Sequence, residues 1–241
     1  MTRNILQKVT LLLILTVSIT TMNAQTNLNE NQHLNKQQKS IVSIASLTAV
    51  GDIAELKIEL NSALETGLTI NEIKEVLVQM YAYCGFPRSL NGINTFMEVV
   101  EERKEKGIID VVGKKASAIN DTESKYEVGK KTLQTLTGRE EKGPKTGASA
   151  FTPIIDTFLK EHLFADIFSR DVLSHQQREL ASISVLSTLE GLASQLEFHL
   201  SVGLNIGFTE SQFQDLFSVI ETHVGKQQAD IATGVLSKIV N

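Results

Sequence analysis

The sequence predicts an all-α fold built from two similar helical units in tandem. Apolar side chains recur at helical spacing through both halves of the chain, without the alternation typical of β-strands. Residues 34–100 also resemble residues 173–240. Six residues recur 139 positions later, where Leu34, Gln37, Gln38, Ser43, Ile44 and Leu47 match Leu173, Gln176, Gln177, Ser182, Ile183 and Leu186. After a slip of one residue the offset is 140, which pairs Leu56, Leu60, Gly67, Thr69 and Gly85 with Leu196, Leu200, Gly207, Thr209 and Gly225. Such self-similarity indicates that the two stretches share one tertiary plan.

The first 24 residues have the pattern of a secretory signal peptide. Arg3 and Lys8 precede an apolar run over residues 9–19, and the small residue Ala24 follows. The run is shorter than the ~20 residues that a membrane-spanning helix needs, which makes a membrane anchor the weaker interpretation. We predict export to the periplasm or the medium, cleavage near Ala24 and no stable membrane insertion after cleavage. Residues 25–33 are polar and rich in Asn and Gln, which is typical of a flexible lead-in.

The first helical unit is predicted at residues 34–104. Asn35–Gln38 and Thr69–Glu72 fit the capping-box pattern, in which each side chain accepts a hydrogen bond from the other residue's backbone N–H. Gly67 suits a left-handed helix end just before the second box. Pro87 suits the first turn of a final helix, because its missing N–H would have no intrahelical partner there. The apolar stripe of that helix contains Leu90, Ile93, Met97 and Val100.

A linker over residues 105–150 and a second unit over residues 151–241 complete the chain. The linker is rich in Lys, Gly, Thr and Ser and contains Gly143-Pro144, so we expect it to be partly ordered at most. The second unit repeats the capping boxes as Ser174–Gln177 and Thr209–Gln212. An added helix over residues 153–169 is too apolar for a solvated spacer and should pack on this unit. Its apolar residues are Ile154, Phe158, Leu163, Phe164, Ile167 and Phe168.

Charge and cysteine usage exclude several classes of protein. The 241 residues carry a formal charge of −5, which becomes −7 once Arg3 and Lys8 are removed with the signal. A mildly acidic chain with no basic tract is not typical of proteins that bind nucleic acid or anionic membranes. Cys84 is the only cysteine, so an internal disulfide is excluded. Since units of about 70 residues bury little core on their own, we expect a homo-oligomer or a tightly packed pair of units.

Two ionisable residues occupy equivalent positions inside the apolar stripes of the two units. Glu59 in the first unit and His199 in the second each follow one leucine of the stripe by three residues and precede the next by one. An ionisable group in a desolvated site is costly unless it is paired, and such sites often serve acid–base chemistry. The alternative is a residue at the edge of the stripe whose polar end reaches water. His199 is the stronger candidate because histidine exchanges protons near neutral pH.

Residues 81–88 bring two tyrosines, a cysteine and an arginine to one helix junction. Cys84 continues an apolar stripe, so the simpler interpretation is a small buried side chain. A reactive thiol is the alternative, because Tyr83 and Arg88 lie close by in the sequence. Glu75 lies about two turns earlier and adds a polar face to the same helix. The sequence has neither a serine triad nor a phosphate-binding glycine loop. Its five histidines form no HxxxH or HExxH pair, so no metal site and no cofactor are predicted.

Several of these strings resemble the carboxymuconolactone decarboxylase family, which includes alkylhydroperoxidase D. In the first unit they are GLT at 67–69, EVLVQ at 75–79 and YCGFP at 83–87; in the second they are FADIFSR at 164–170, REL at 178–180 and FHL at 198–200. The resemblance implies an all-α fold, symmetrical oligomers and sites between helices near subunit contacts. It also implies a role in proton transfer for His199. The first unit departs from the pattern with Glu59 at that position, and the second has THVGK at 222–226 where YCGFP is expected. The site is therefore either composite or degenerate in one half.

The function that this resemblance implies first is a lyase or isomerase acting without a cofactor on a small carboxylated lactone or related organic acid. Such chemistry needs a cation to orient the carboxylate, for which Arg88, Arg170 and Arg178 are candidates. It also needs an acid to protonate the resulting carbon, for which His199 and Glu59 are candidates. Export argues against this function, since catabolism of aromatic acids is ordinarily cytoplasmic. Tyr83 and Glu75 complete the predicted substrate-binding set.

Two further functions stay open at this point. One is a thiol-dependent alkylhydroperoxidase that uses Cys84, although a resolving thiol three residues away is missing because residue 81 is tyrosine and residue 87 is proline. The other is a non-catalytic binding or scaffold protein of the cell envelope, which a duplicated and degenerate enzyme can become.

Overall fold

A computed structural model describes residues 32–118 and 122–240, and every regular element in those two ranges is helical. This confirms the predicted all-α class. The predicted signal peptide and most of the lead-in, residues 1–31, lie outside the described residues. Within the described ranges, the helices are all too short or too polar to cross a bilayer.

The first repeat forms three helices, and the third is kinked. Helix α1 spans Lys36–Val50, α2 spans Ile53–Glu65 and α3 spans Ile70–Glu105. Helix α3 bends at Gly85, whose φ of 81° and ψ of 160° are outside the helical region. Pro87 follows this break and begins the second half of α3, as predicted, because a proline is tolerated where no intrahelical N–H bond is required.

The segment between the repeats is more ordered than its composition suggests. It contains helix α4 over Lys125–Thr137 and the short helix α5 over Gly147–Phe151. Helix α6 follows over Pro153–Phe158 and continues as a π-helical segment over Leu159–Phe168. Thus a part of the predicted linker is a regular helix.

The second repeat has the same order of helices as the first. Helix α7 spans His175–Thr188, α8 spans Ala193–Asn205, α9 spans Glu210–His223 and α10 spans Lys226–Val240. Gly225 separates α9 from α10 with a φ of 150°, at the position equivalent to the bend of α3. Gly67 and Gly207 are also equivalent, and both adopt a positive φ, 94° and 100°, at the turn after the second helix of their repeat.

Local hydrogen bonds begin the helices where the sequence predicts. All four capping boxes form, with the two reciprocal bonds present in each. They satisfy backbone N–H groups that have no intrahelical acceptor in the first turn. The boxes are Asn35–Gln38, Thr69–Glu72, Ser174–Gln177 and Thr209–Gln212.

The two repeats share a single hydrophobic core. Helices α1 and α7 pack on each other at its centre, and each carries an unbroken run of buried residues, 40–49 and 178–188. A helix that is buried on all sides needs neighbours on all sides, and here the other repeat supplies them. The fully buried core residues come from both halves, among them Ile41, Ile44, Leu77, Leu180, Leu200 and Leu216.

A second, smaller cluster attaches α4 and the π-helical segment to α8. Leu136 of α4 is fully buried there against Phe164, Phe168 and Val202. The added helix therefore packs on the second unit, as predicted. Its first turns do not follow the prediction, because Ile154 and Phe158 are more than half exposed. The same holds for Leu90 and Met97 in the predicted stripe of α3, which lie on the outer face of that helix.

Candidate active site

A continuous set of hydrogen bonds joins the first repeat to the second. Glu75, Gln79 and Tyr83 lie four residues apart on α3 and so share one helix face. That face packs on α7, which contributes Arg178 and Ser182, again four residues apart. Polar side chains of the two repeats thus meet between two buried helices.

At one end of this set, Glu75 binds two arginines. Arg170 Nη2 donates to Glu75 Oε1 over 2.6 Å, and Arg178 Nη2 donates to Glu75 Oε2 over 3.0 Å. Burial alone would raise the pKa of the Glu75 carboxyl, but the bonds from Arg170 and Arg178 outweigh it and hold that pKa below its ordinary value. Glu75 is thus the shared counter-charge of two guanidinium groups, and the Asp171 carboxylate also acts on Arg170.

The middle of the set is formed by neutral groups. Gln79 is fully buried, accepts from Arg178 Nη1 over 3.1 Å and donates to Ser182 Oγ over 3.0 Å. Its amide also donates to the Arg178 carbonyl over 2.8 Å. A buried amide with both ends bonded costs little, so Gln79 links the arginine end to the tyrosine end and holds both helices in register.

At the other end, Tyr83 lies between Ser182 and His199. Ser182 Oγ donates to Tyr83 Oη over 2.8 Å, and Tyr83 Oη is 3.5 Å from His199 Nε2. Burial and the nearby Glu179 carboxylate raise the pKa of Tyr83 well above its usual value, so the phenol keeps its proton. With the serine donating to its oxygen, the phenolic O–H is available to His199.

His199 and Glu179 form a buried pair. His199 Nδ1 is 2.7 Å from Glu179 Oε2, and the side chains are 7% and 1% exposed. The contact orients the imidazole so that Nδ1 faces the carboxylate and Nε2 faces Tyr83. The rings of Tyr83 and Phe198 flank the imidazole edge-on, with ring centres 5.7 Å and 5.2 Å away. A histidine held in this way can exchange a proton through Nε2.

Two cavities adjoin the ends of this set. One of about 500 Å³ is lined by Arg170 and Asp171 together with residues of the segment before α4. Another of about 750 Å³ lies between α4 and α8 and is lined by Phe198, whose ring contacts His199. Both are large enough for a small organic acid.

The structure brings together five of the residues predicted for the site. Those five are His199, Tyr83, Glu75, Arg170 and Arg178. Arg178 is fully buried and bonded to Glu75 and Gln79, so it holds the framework rather than offering a free cation to a substrate. Arg170 has a side chain that is 37% exposed and lines a cavity, and is the better candidate of the two.

Three other predicted residues do not join the hydrogen bonds around His199. Glu59 lies on α2, near Glu55 and His223. Arg88 packs on Gly51 at the C-terminal end of α1, where a Cβ added to that glycine would be 2.4 Å from Arg88 Nη1. Cys84 donates its thiol to the Met80 carbonyl over 3.1 Å, and burial raises its pKa to about 11. The thiol is therefore uncharged near neutral pH.

Glu179 and Ser182 are site residues that sequence reasoning did not select. Both lie on α7, within its run of buried residues. A signal for Glu179 was present, since the charged pair Arg178-Glu179 directly precedes an apolar run, and buried charges need partners. Ser182 carried no such signal, because a serine on a buried helix face is commonly close to the carbonyl one turn earlier, and Ser182 Oγ likewise lies 3.1 Å from the Arg178 carbonyl oxygen.

Comparison with known proteins is consistent with this fold. Residues 12–96 match the model of the carboxymuconolactone decarboxylase family. A stretch of 69 residues is 35% identical to the 4-carboxymuconolactone decarboxylase of Acinetobacter baylyi, covering 29% of this chain and 48% of that protein. Another of 81 residues is 26% identical to an uncharacterized protein of Methanocaldococcus jannaschii, covering 34% of this chain and 76% of the relative. The chain thus matches only about half the length of the decarboxylase. The family match includes Glu75, Gln79 and Tyr83 and ends well before His199.

Proposed function

We propose that this protein is a cofactor-independent lyase or isomerase acting on a small carboxylated lactone or related organic acid. The observation that carries the proposal is the buried His199–Glu179 pair, in which His199 Nε2 faces the Tyr83 phenol at the junction of the two repeats. The similarity to a 4-carboxymuconolactone decarboxylase supports the substrate class. The proposed site is composite, with Tyr83 from one repeat and His199 from the other.

In the proposed reaction the substrate carboxylate leaves as CO₂, and the electron pair of the broken C–C bond passes into the conjugated carbonyl of the lactone. Protonated His199 then delivers a proton from Nε2 to the carbon that carries the new charge, and solvent restores that proton. Glu179 stabilises the imidazolium and fixes its orientation. Tyr83 stays protonated and donates a hydrogen bond in the site.

At the arginine end two guanidinium groups bond to Glu75, and the cavity beside them is lined by Arg170 together with Asp171 and Glu123. Of the two arginines, Arg170 is the one that reaches this cavity. Because that cavity is not the one beside His199, the proposal gives Arg170 no part in orienting the carboxylate that leaves.

The same observations give less support to the two other functions, a thiol-dependent alkylhydroperoxidase and a non-catalytic binding or scaffold protein. A thiol peroxidase needs a thiolate, whereas burial raises the pKa of the Cys84 thiol to about 11. A purely structural protein has no need for a histidine held by a buried carboxylate. A binding protein without catalysis differs from the proposed enzyme in one measurable respect, because its ligand would leave unchanged.

The test is turnover of carboxylated lactones and related organic acids by the purified protein, followed by CO₂ release and ultraviolet absorbance. We expect His199→Ala to lower kcat by ~10²-fold or more, as for loss of a general acid or base. His162→Ala is the matched control, since His162 is half exposed and bonds to Asp166 on the surface. Equal loss in both variants, or full activity of His199→Ala, would overturn the proposal.

Export and self-association are proposed separately from the enzymatic activity. We propose that the chain is exported with cleavage near Ala24 and acts as a homo-oligomer. The mass of the mature protein tests the first point, and light scattering after size-exclusion chromatography tests the second. A chain that keeps Met1 inside the cell, or a monomer at all concentrations, would contradict them.

A further inference from the structure

The position that His199 occupies in the second repeat is occupied by Glu59 in the first, and the two surroundings differ. The offset of 140 residues that pairs Glu59 with His199 also pairs Tyr83 with His223. The repeat thus generates a second junction, in which α2 meets the end of α9. At this second junction the histidine, His223, lies at the position equivalent to Tyr83. The carboxylate of Glu59 lies at the position equivalent to His199.

Three ligand-bearing side chains meet at this second junction. Glu55 and Glu59 lie one helical turn apart on α2 and share a face, and His223 is the last residue of α9. One donor atom from each of the three lies within 4.8 Å of the other two. His223 Nδ1 is 3.7 Å from Glu55 Oε1. All three are partly exposed, so a site here would be open to solvent on one side.

Within the described residues, the basic group paired with these carboxylates is His223, and Glu55 also lies in the first turn of α2, where the helix N-terminus favours a negative charge. Among the described residues, no lysine or arginine forms an ion pair with Glu55 or Glu59. Two neighbouring carboxylates repel each other, and in the described part of the chain the ion-pair contact of Glu55 is with the His223 imidazole. A bound cation would remove that repulsion.

We propose that Glu55, Glu59 and His223 bind a divalent transition-metal ion such as Zn²⁺. An imidazole with two carboxylates is a donor set that suits Zn²⁺, whereas Mg²⁺ and Ca²⁺ prefer oxygen ligands alone. Zn²⁺ bonds to nitrogen and oxygen are about 2.0–2.2 Å long, so tetrahedral ligand atoms lie about 3.4 Å apart. The side chains therefore need to approach by little more than 1 Å, which partly exposed glutamates can do by rotation about their χ angles. Water would fill the fourth position.

Such an ion would connect the two repeats, since two ligands come from the first and one from the second. An ion that binds the folded chain but not the unfolded chain stabilises the fold by mass action. The site is separate from the His199 pair, and its test by binding and thermal unfolding does not depend on the proposed enzymatic function.

The experiment is calorimetric titration of the chelator-treated full chain with Zn²⁺, paired with thermal unfolding at the same Zn²⁺ concentrations. We expect one equivalent to bind, excess Mg²⁺ not to displace it, and Tm to rise with Zn²⁺. Glu59→Gln and His223→Ala should each weaken binding by at least ~10-fold and abolish the rise in Tm, because each removes one of three protein ligands.

His162→Ala is the control for an unrelated surface histidine next to a carboxylate, and it should bind Zn²⁺ like the unaltered chain. Glu59→Gln is nearly isosteric at a partly exposed position, so it keeps the test decisive even where His223→Ala fails to fold. The proposal is overturned if the unaltered chain takes up no Zn²⁺ equivalent, or if Glu59→Gln binds it with unchanged affinity.

Discussion

At the scale of single residues, burial decides which polar groups of this protein are chemically active. His199 is buried but held by Glu179. Cys84 is partly buried with only a carbonyl as hydrogen-bond partner, and its pKa rises to about 11. Both lie in apolar stripes that look equivalent in the sequence. At Cys84, burial outweighs the nearby Arg88 cation, which alone would lower the pKa of the thiol.

The first prediction concerns the reactivity of Cys84. Its pKa is raised from 9.0 to about 11, so near neutral pH its thiolate fraction should be roughly 100-fold lower than in an unfolded chain. We expect slow alkylation by iodoacetamide at pH 7, a rise in rate as the pH approaches 11, and fast alkylation in urea. Cys84→Ser should lower the free energy of unfolding by about 1–2 kcal/mol and leave turnover unchanged. Fast labelling of the folded chain at pH 7 would contradict this account.

The second prediction concerns Glu75. Removing its charge leaves fully buried Arg178 without a counter-charge, so Glu75→Gln should lower the free energy of unfolding by ~3 kcal/mol or more. Arg170→Gln is the matched control and should cost less, because the Arg170 side chain is 37% exposed. Urea denaturation measures both values. A larger loss in the free energy of unfolding for Arg170→Gln would show that Arg178 does not depend on Glu75 for its counter-charge.

Glu75 also predicts how stability depends on pH. Its pKa is lower in the folded state than its ordinary 4.5, so the carboxylate stabilises the fold above that value. This contribution is lost as the pH falls through the folded-state pKa, because the unfolded chain then binds the proton more readily. Between pH 3 and pH 7, the free energy of unfolding should therefore change more with pH for the unaltered chain than for Glu75→Gln. Denaturation curves measured across this range give both values. Parallel curves would contradict the assignment.

At the scale of elements, close backbone approach explains how α4 attaches to the rest of the molecule. Gly129 of α4 lies against the π-helical segment, and a Cβ added there would be 1.8 Å from the Lys160 carbonyl oxygen. No side chain fits at that distance, so glycine permits the two helices to touch. The predicted linker therefore contains an ordered helix whose Leu136 is fully buried.

The third prediction follows from this contact. Gly129→Ala should push α4 away from Lys160 and lower the free energy of unfolding by about 1–3 kcal/mol, as for other overpacked contacts. Gly234→Ala is the control, because that glycine lies in α10 with nothing within 4 Å of an added Cβ. It should be neutral or stabilise by up to ~1 kcal/mol through higher helix propensity. Thermal unfolding of both variants tests the pair.

At the scale of the whole molecule, the two repeats act as the two halves of one core. Helices α1 and α7 are covered by each other and by further helices of both repeats. This favours a tightly packed pair of units over two independent domains, while the size of any homo-oligomer stays a prediction. The same packing forms both junctions, the one around His199 and the one around His223.

The fourth prediction is that one repeat does not fold alone. A fragment of residues 25–105 would expose the α1 and α3 faces that normally contact α7, so we expect it to be largely unfolded or to self-associate. Circular dichroism and size-exclusion chromatography on the fragment and on a chain of residues 25–241 provide the comparison. A monomeric fragment that unfolds cooperatively would contradict a shared core.

The parts of this protein that depend on residues close together in the chain could be predicted from the sequence. Helix starts at the four capping boxes, the left-handed turns at Gly67 and Gly207 and the break near Pro87 all follow from interactions within a few residues. The sequence also selected five of the residues that meet at the junction. The apolar stripes showed that Glu59 and His199 were unusual, since a periodic pattern makes an ionisable exception visible.

Which of those exceptions share a site depends on how the helices pack. Tyr83 and His199 are 116 residues apart in the chain, and Glu75 reaches Arg178 across 103 residues. Helical periodicity reports which face of a helix is apolar, but it carries no information about the helix that will cover it. Glu59 was therefore grouped with His199 from the sequence, whereas packing places it with Glu55 and His223. The burial of Leu90 and Met97 was predicted wrongly for the same reason. An apolar stripe marks one face of a helix, and the packing of the other helices determines whether that face is covered.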